Sequence, residues 1–246
     1  MNQSIGVYDS GVGGYTVLNV LRKRFPNENW VYLQDKDNMP YGNRTQEEII
    51  VLGNKCLNTL ASHDVKACVV ACHTSSAIAL PSLAKNYDFP IIGMLEPTVN
   101  GLLSQSDRPI LWLATQASVR ANRLHLEMKA SGYASAFRAV SCVGWVEQIE
   151  KSCRGSRVKK MVLNTLLPHW AWIRENRPRI VYGCTHYPWL QPILLELLGD
   201  ALYIDPAVWV ADALAEMLTQ YRLHTCSSLQ GRVVTIPPDY AAQVAS

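Results

Sequence analysis

The sequence predicts an α/β fold built as two similar lobes, each with a mostly parallel sheet, facing each other across a central cleft. Two patterns carry that expectation. Short apolar runs alternate with longer segments of helical period along the 246 residues, as right-handed strand–helix–strand crossovers require. Two of the runs, "VVAC" at 69–72 and "IVYGC" at 180–184, stop at a cysteine with a threonine and a histidine just beyond it. That repetition suggests one unit used twice. The length admits one large domain or two small ones. The expected division places residues 1–95 and 207–246 in the lobe carrying Cys72, and residues 96–206 in the lobe carrying Cys184.

Taken in order, the first apolar run, 4–8, leads into "DSGVGG" and then a helix closed by "RKR" at 22–24, whose charges favour a helix C-terminus. The run 30–34 leads into "DKDNMPYG". Residues 45–60 open with Thr45 and Glu48 at capping-box spacing, and Ile49, Gly53, Cys56, Leu57 and Leu60 share one face. The run 66–71 ends in "CHTSS". Further strands are expected at 109–114, 136–142, 179–183 and 202–204. A helix over 189–198 tolerates Pro192 in its first turn and stops at Gly199. A last helix over 207–221 puts Val208, Ala211, Leu214, Leu218 and Tyr221 on one stripe.

Composition narrows the function classes. An apolar content of 48% with 17% charged residues supports a packed core. A net charge of +3, with basic residues scattered, gives no footprint for nucleic acid. No stretch reaches the roughly 18 apolar residues of a membrane span, and the first ten residues lack the pattern of a signal peptide. Seven cysteines without framework spacing point to free thiols in a reducing cytoplasm.

Parallel α/β sheets place ligands beyond the carboxyl ends of their strands, and the unusual residues gather there. In "DSGVGG" (9–14), the glycines permit close backbone approach to an anion ahead of a helix N-terminus. Thr16 occupies the last glycine position of a dinucleotide fingerprint, and the lysine of a phosphate-binding P-loop is missing. For Cys72 and Cys184, three chemistries fit. Zinc would draw on Cys72, His73, Cys184 and His186, although neither half has the usual ligand-pair spacing. A single thiol nucleophile with a histidine base leaves the second cysteine without a role. An acid–base pair uses both: one thiolate removes a proton from carbon, and a thiol on the opposite face returns one. That chemistry inverts a stereocentre.

The stretches "IGVYDSGVGGYTVL", "MPYG", "ACHTSSA" and "YGCTHYP" resemble, in this order, the signature stretches of the cofactor-independent glutamate racemases of the aspartate/glutamate racemase superfamily. Weaker echoes lie in "LATQAS" at 113–118, in the stretch ending at Glu150 and in "YIDPA" at 203–207. The resemblance implies interconversion of L- and D-glutamate, with D-glutamate supplied to peptidoglycan. It implies no cofactor and no metal, a small amino-acid substrate, a cytoplasmic location and a homodimer. By position, Cys72 and Cys184 match the acid–base pair, Asp9 and His186 match groups that tune the thiols, and Asp35 and Glu150 match assisting acids. Asp9, Ser10, Pro40, Tyr41, Gly42, His73, Thr74, Thr115, Thr185 and His186 match substrate contacts.

Two positions depart from the family pattern. His73 stands where the motif has asparagine, and Pro206 where serine is usual. Imidazole is bulkier than an amide and can charge near neutral pH, which leaves open a racemase of altered substrate, aspartate or a hydantoin among them. A relative that binds without catalysing is the remaining alternative.

Overall fold

The computed structural model describes residues 3–105, 107–152, 154–225 and 229–236. Its strands are β1 Ile5–Asp9, β2 Trp30–Gln34, β3 Ala67–Val70, β4 Ile91–Gly93, β5 Ile110–Ala114, β6 Phe137–Ser141, β7 Arg179–Gly183, β8 Tyr203–Ile204 and β9 Val233–Ile236. They form two sheets in which every pairing is parallel, ordered β4-β3-β1-β2-β9 and β6-β5-β7-β8. Apart from the added edge strand β9, the two sheets share one connectivity. β5, β6, β7 and β8 take the places of β1, β2, β3 and β4. The α/β architecture of two similar units is therefore as expected.

Burial explains why these runs are strands. β1, β3, β5 and β7 are buried along their whole length. Helices cover both faces, so such strands read as continuous apolar runs rather than alternating ones. In the first sheet, one face packs on the helices Gly14–Arg24 and Ala207–Gln220 through Val17, Leu18, Leu21, Val210, Leu214 and Leu218. The other packs on the helix Gln46–Ser62 through Ile49, Cys56, Leu57 and Leu60. In the second sheet, the helix Ser156–Leu166 covers one face through Val158, Val162 and Leu166. The helix Leu95–Leu103 supplies Val99 and Leu102 to the other. That helix also meets Ala207–Gln220, where a Cβ on Gly101 would lie 2.0 Å from the Trp209 ring. Only a glycine leaves room for that ring against the helix.

The capping box at Thr45 and Glu48 forms in both directions. Gly199 ends the helix Gln191–Leu198 with φ 72, a left-handed conformation that glycine adopts without steric cost. Three expectations need correction. Residues 187–190 form a separate 3-10 turn, so the regular helix starts at Gln191 rather than 189. On the last helix, Val208 and Tyr221 are exposed. Ala211, Leu214 and Leu218 are buried as expected, and Ala207 and Val210 complete the stripe in place of Val208 and Tyr221. β4 and β9 were not expected. β4 has only three residues, and β9 is an edge strand with Val234 exposed, too little apolar pattern to mark either. Cys56, Cys68, Cys72, Cys142 and Cys184 are free and buried; Cys153 and Cys226 lie outside the described residues. Among the described residues no helix is long and apolar enough to cross a membrane.

Candidate active site

Cys72 follows β3 and Cys184 follows β7, the same place in the two units. Each is therefore delivered to the carboxyl end of its sheet by a strand adjoining the central one. The two ends face each other. Ser10, Pro40, Tyr41, Gly42, Cys72, His73 and Thr74 from one side, and Thr115, Val146, Cys184, Thr185 and His186 from the other, border one narrow cleft of about 10 Å³. That is room for roughly one water molecule.

The Cys184 side carries a relay. His186 Nδ1 stands 3.7 Å from Cys184 Sγ, and His186 Nε2 is 2.7 Å from Glu150 Oε1. The same carboxylate oxygen accepts from the Val12 backbone N–H at 3.3 Å. Burial works to raise the Glu150 pKa, but the hydrogen bond and charge of His186, the Val12 N–H and the Lys36 charge together outweigh it, and the net shift is downward. With Nε2 held on the Glu150 carboxylate, Nδ1 is the ring nitrogen that faces the thiol. The Cys184 thiol itself is pushed well up by burial, although the His186 backbone N–H works the other way.

On the other side, the Cys72 thiol donates to Ser10 Oγ at 3.5 Å. Burial raises its pKa, and the nearby Asp9 charge adds to that rise. Asp9 is fully buried between the sheets. Its Oδ2 accepts from the backbone N–H groups of Gly11 and Gly14, each at 3.0 Å, and its Oδ1 from Thr185 Oγ1 at 3.3 Å. Burial also raises the Asp9 pKa. The glycine turn thus does receive an anion, and the anion is the protein's own Asp9. Its glycines serve the closure as well: a Cβ on Gly13 would lie 2.4 Å from both Thr185 Oγ1 and His186 Nδ1.

Hydroxyls stitch the two sides together. Thr74 Oγ1 is 2.9 Å from Thr115 Oγ1 and 3.2 Å from Ser118 Oγ, and Thr16 Oγ1 donates to the Thr185 carbonyl at 3.0 Å. Thr115 also caps the helix Gln116–Ala121.

Comparison with known proteins gives this constellation a context. The model of the Asp/Glu/hydantoin racemase family matches residues 16–214. The chain belongs to that family. This racemase, an isomerase by class, is 35% identical over 216 residues to the glutamate racemase of Trichodesmium erythraeum (strain IMS101), covering 87% of this chain and 78% of that one. Its fold matches glutamate racemase from Francisella tularensis subsp. tularensis SCHU S4 in complex with D-glutamate, with TM-score 0.86 and 25% identity over 96% of this chain and 88% of that one. It also matches Escherichia coli glutamate racemase in complex with L-glutamate and the activator UDP-MurNAc-Ala, with TM-score 0.78 and 25% identity over the same shares.

In this racemase nearly all the residues expected at the site border the cleft. Asp9, Glu150 and Asp35 do not. Asp9 reaches the cleft through Thr185, and Glu150 through His186. Asp35 is reached through Tyr41, whose hydroxyl donates to Asp35 Oδ2, while Asn38 Nδ2 donates to Oδ1 at 2.8 Å. Of the two departures from the family pattern, only His73 borders the cleft. Desolvation lowers its pKa to about 3, so it is neutral at physiological pH and supplies no positive charge to Cys72. Pro206 caps the last helix, where Asp205 Oδ1 accepts from the Ala207 N–H at 3.0 Å. Sequence reasoning missed Val146 and Ser118. Ser118 lies within "LATQAS", three residues after Thr115, the spacing of a cap. A lone valine gives no signal. Among the described residues, no three His, Cys, Asp or Glu side chains are grouped to hold a metal ion.

Proposed function

We propose that this racemase interconverts L- and D-glutamate by direct proton transfer between Cα and two thiols, without a cofactor. The observation that carries this reading is that Cys72 and Cys184 border one cleft from opposite sides. With D-glutamate bound, the Cys72 thiolate takes the α-proton. The C–H electron pair stays on Cα as a carbanion and an S–H bond forms. The Cys184 thiol then gives its proton to the opposite face, and Cys184 is left as the thiolate. The L-isomer runs the same steps with the cysteines exchanged. His186, oriented by Glu150, receives the Cys184 proton when the thiolate is prepared, and Asp9 serves the Cys72 side. Ser10, Thr74, Thr115 and Thr185 offer hydroxyl donors to the substrate carboxylates, with Pro40, Tyr41, Gly42 and His73 shaping the wall. Asp35 orients Tyr41.

On the same reading, D-glutamate made here feeds peptidoglycan synthesis in the cytoplasm, and the chain works as a homodimer. The lobes divide as 1–95 with 207–246 and 96–206. The positions of α-helix 207–220 and β9 on the first sheet support that division.

Circular dichroism of L- or D-glutamate incubated separately with folded protein tests the activity. Loss of optical rotation from either isomer is expected, with deuterium entering Cα in heavy water. Cys72→Ser and Cys184→Ser are each expected to abolish racemisation. Folded protein that leaves both isomers unchanged ends this reading. His73 motivates a second one, an altered substrate range. Racemisation of aspartate or a hydantoin in preference to glutamate, with the preference reversed in His73→Asn, would establish it.

A further inference from the structure

Among the described residues five buried hydroxyl groups have no hydrogen-bond partner, and Tyr8 Oη and Ser75 Oγ are two of them. Tyr8 is 1% exposed and Ser75 is fully buried. Buried polar groups are rarely left in this state, and each such group calls for a physical account. Both of these lie beside Cys72. The Ser75 side chain is near enough to both the Tyr8 phenol and the Cys72 sulfur to work toward lowering the pKa of each. Tyr8 and Cys72 pack in one cluster on the same face of the first sheet. The Tyr8 hydroxyl end is fixed there by the helix Gln46–Ser62, where a Cβ on Gly53 would lie 3.3 Å from it.

The orphaned state belongs to the thiol form of Cys72. As a thiol, Cys72 donates to Ser10 and is a poor acceptor for anything else. As a thiolate it becomes a strong acceptor that needs several donors in a site without bulk water. The titratable groups around it give no positive charge: Asp9 and Tyr8 on β1, Tyr32 on β2, Cys56 on the helix Gln46–Ser62, and Cys184 across the cleft. His73 is neutral. The Cys184 side has the His186–Glu150 relay. The Cys72 side has the Ser75 backbone N–H and the hydroxyls of Ser10 and Ser75 in its place. Burial keeps the Tyr8 phenol protonated, so it remains a donor.

We propose that Ser75 and Tyr8 are positioning residues that stabilise the Cys72 thiolate, Ser75 by donating its hydroxyl to the sulfur and Tyr8 by donating to Ser75. The two orphaned hydroxyls are thus satisfied in the thiolate state and unsatisfied in the thiol state. The substrate-free enzyme holds a pair of donors waiting for the charge that proton removal from Cα requires. This inference rests on the proposed role of Cys72 as a base, but it concerns the thiol itself and can be tested without racemisation.

The test is the pH dependence of Cys72 alkylation by iodoacetamide in the full-length protein, read by mass spectrometry of the Cys72 peptide so that Cys184 is scored separately. Ser75→Ala and Tyr8→Phe are each expected to move the Cys72 midpoint to higher pH and leave the Cys184 midpoint in place. Racemisation at neutral pH is expected to fall about tenfold in Ser75→Ala, the effect of one lost charge-assisted hydrogen bond, and less in Tyr8→Phe. Melting temperatures should stay level or rise, because neither hydroxyl is bonded in the thiol form. An unchanged Cys72 midpoint in both variants overturns the proposal, and so does an equal shift at Cys184. A Cys72 shift in a protein that does not racemise glutamate would uphold these donors while removing the proposed substrate.

Discussion

His186 Nε2 lies 2.7 Å from Glu150 Oε1. The contact joins a helix of one sheet's covering layer to the turn after β7, and it fixes which ring nitrogen faces Cys184. Replacing Glu150 by glutamine keeps the shape and removes the charge that stabilises an imidazolium. We expect kcat/KM to fall by about 10²-fold, a usual size for a lost acid–base contribution. The two enantiomers have equal free energy in water, so the fall must be equal in both directions. Any asymmetry between the cysteines will appear only in kcat and in the isotope effect on each α-proton. Steady-state assays from each isomer check this; activity within twofold of the parent would refute it. The Glu150 pKa is lowered in the fold. The stability gained from its ionised form is therefore complete above the unfolded value and is lost as pH falls through the folded one. The melting-temperature gap between the parent and Glu150→Gln should close only in acid.

Asp9 raises the pKa of both thiols, after burial itself. Asp9→Asn removes that charge, so both alkylation midpoints should move to lower pH. Racemisation should nonetheless fall, because an amide cannot match the carboxylate as acceptor for Gly11, Gly14 and Thr185 together. Peptide-resolved alkylation and a rate assay on one preparation would separate the two effects. Midpoints that stay fixed or rise would show that the Asp9 charge does not reach the sulfurs.

His73 is held neutral by desolvation, with its pKa lowered to about 3. A lowered pKa on a group that charges by protonation means that the unfolded chain takes up the proton first. Stability should then decline as pH drops below the ordinary histidine value of about 6.5. His73→Asn should lose less than the parent over that window, as read by thermal melts. The pH–rate profile between 6 and 9 should keep its shape in the variant, since His73 carries no charge there. A lost or displaced acidic limb would show that His73 titrates in the working enzyme.

Gly13→Ala would place a methyl 2.4 Å from Thr185 Oγ1 and His186 Nδ1. The two sides of the cleft must then part or His186 must turn from Cys184. We expect a loss of activity of about 10²-fold with an overpacking cost of about 1–3 kcal/mol. Denaturant melts and rate assays would check both. Activity near that of the parent would mean that this contact is absent in the working state.

The cleft between the cysteines holds roughly one water molecule, so an amino acid cannot enter without some separation of its walls. The hydroxyl contacts of Thr74 with Thr115 and Ser118, and those of Thr185 with Thr16 and Asp9, span the two walls. Each is worth only about 1 kcal/mol net, so they close the cleft without locking it.

The amino-acid sequence by itself determined the α/β class, the run of buried strands and the arrival of two cysteines at strand ends. Those features depend on residues close together in the chain. A buried parallel strand must be continuously apolar, and a helix shows its period within a few turns. The capping box at Thr45 and Glu48 and the glycine stop at Gly199 were legible for the same reason. On the last helix Ala211, Leu214 and Leu218 were legible, but the ends of the stripe were not, because period alone does not say where the sheet begins and ends. β4 and β9 escaped because three-residue and edge strands owe their structure to the neighbour they pair with.

Tertiary structure alone decided which groups meet. It set the two similar units face to face, so that Cys72 and Cys184 border one space, and it put Asp9 behind that space rather than on its wall. It also removed the charge from His73, which a bare sequence leaves free to titrate. Such facts follow from burial and from contacts between residues far apart in the chain. Desolvation and hydrogen-bond geometry are properties of the packed molecule, and no local pattern encodes them.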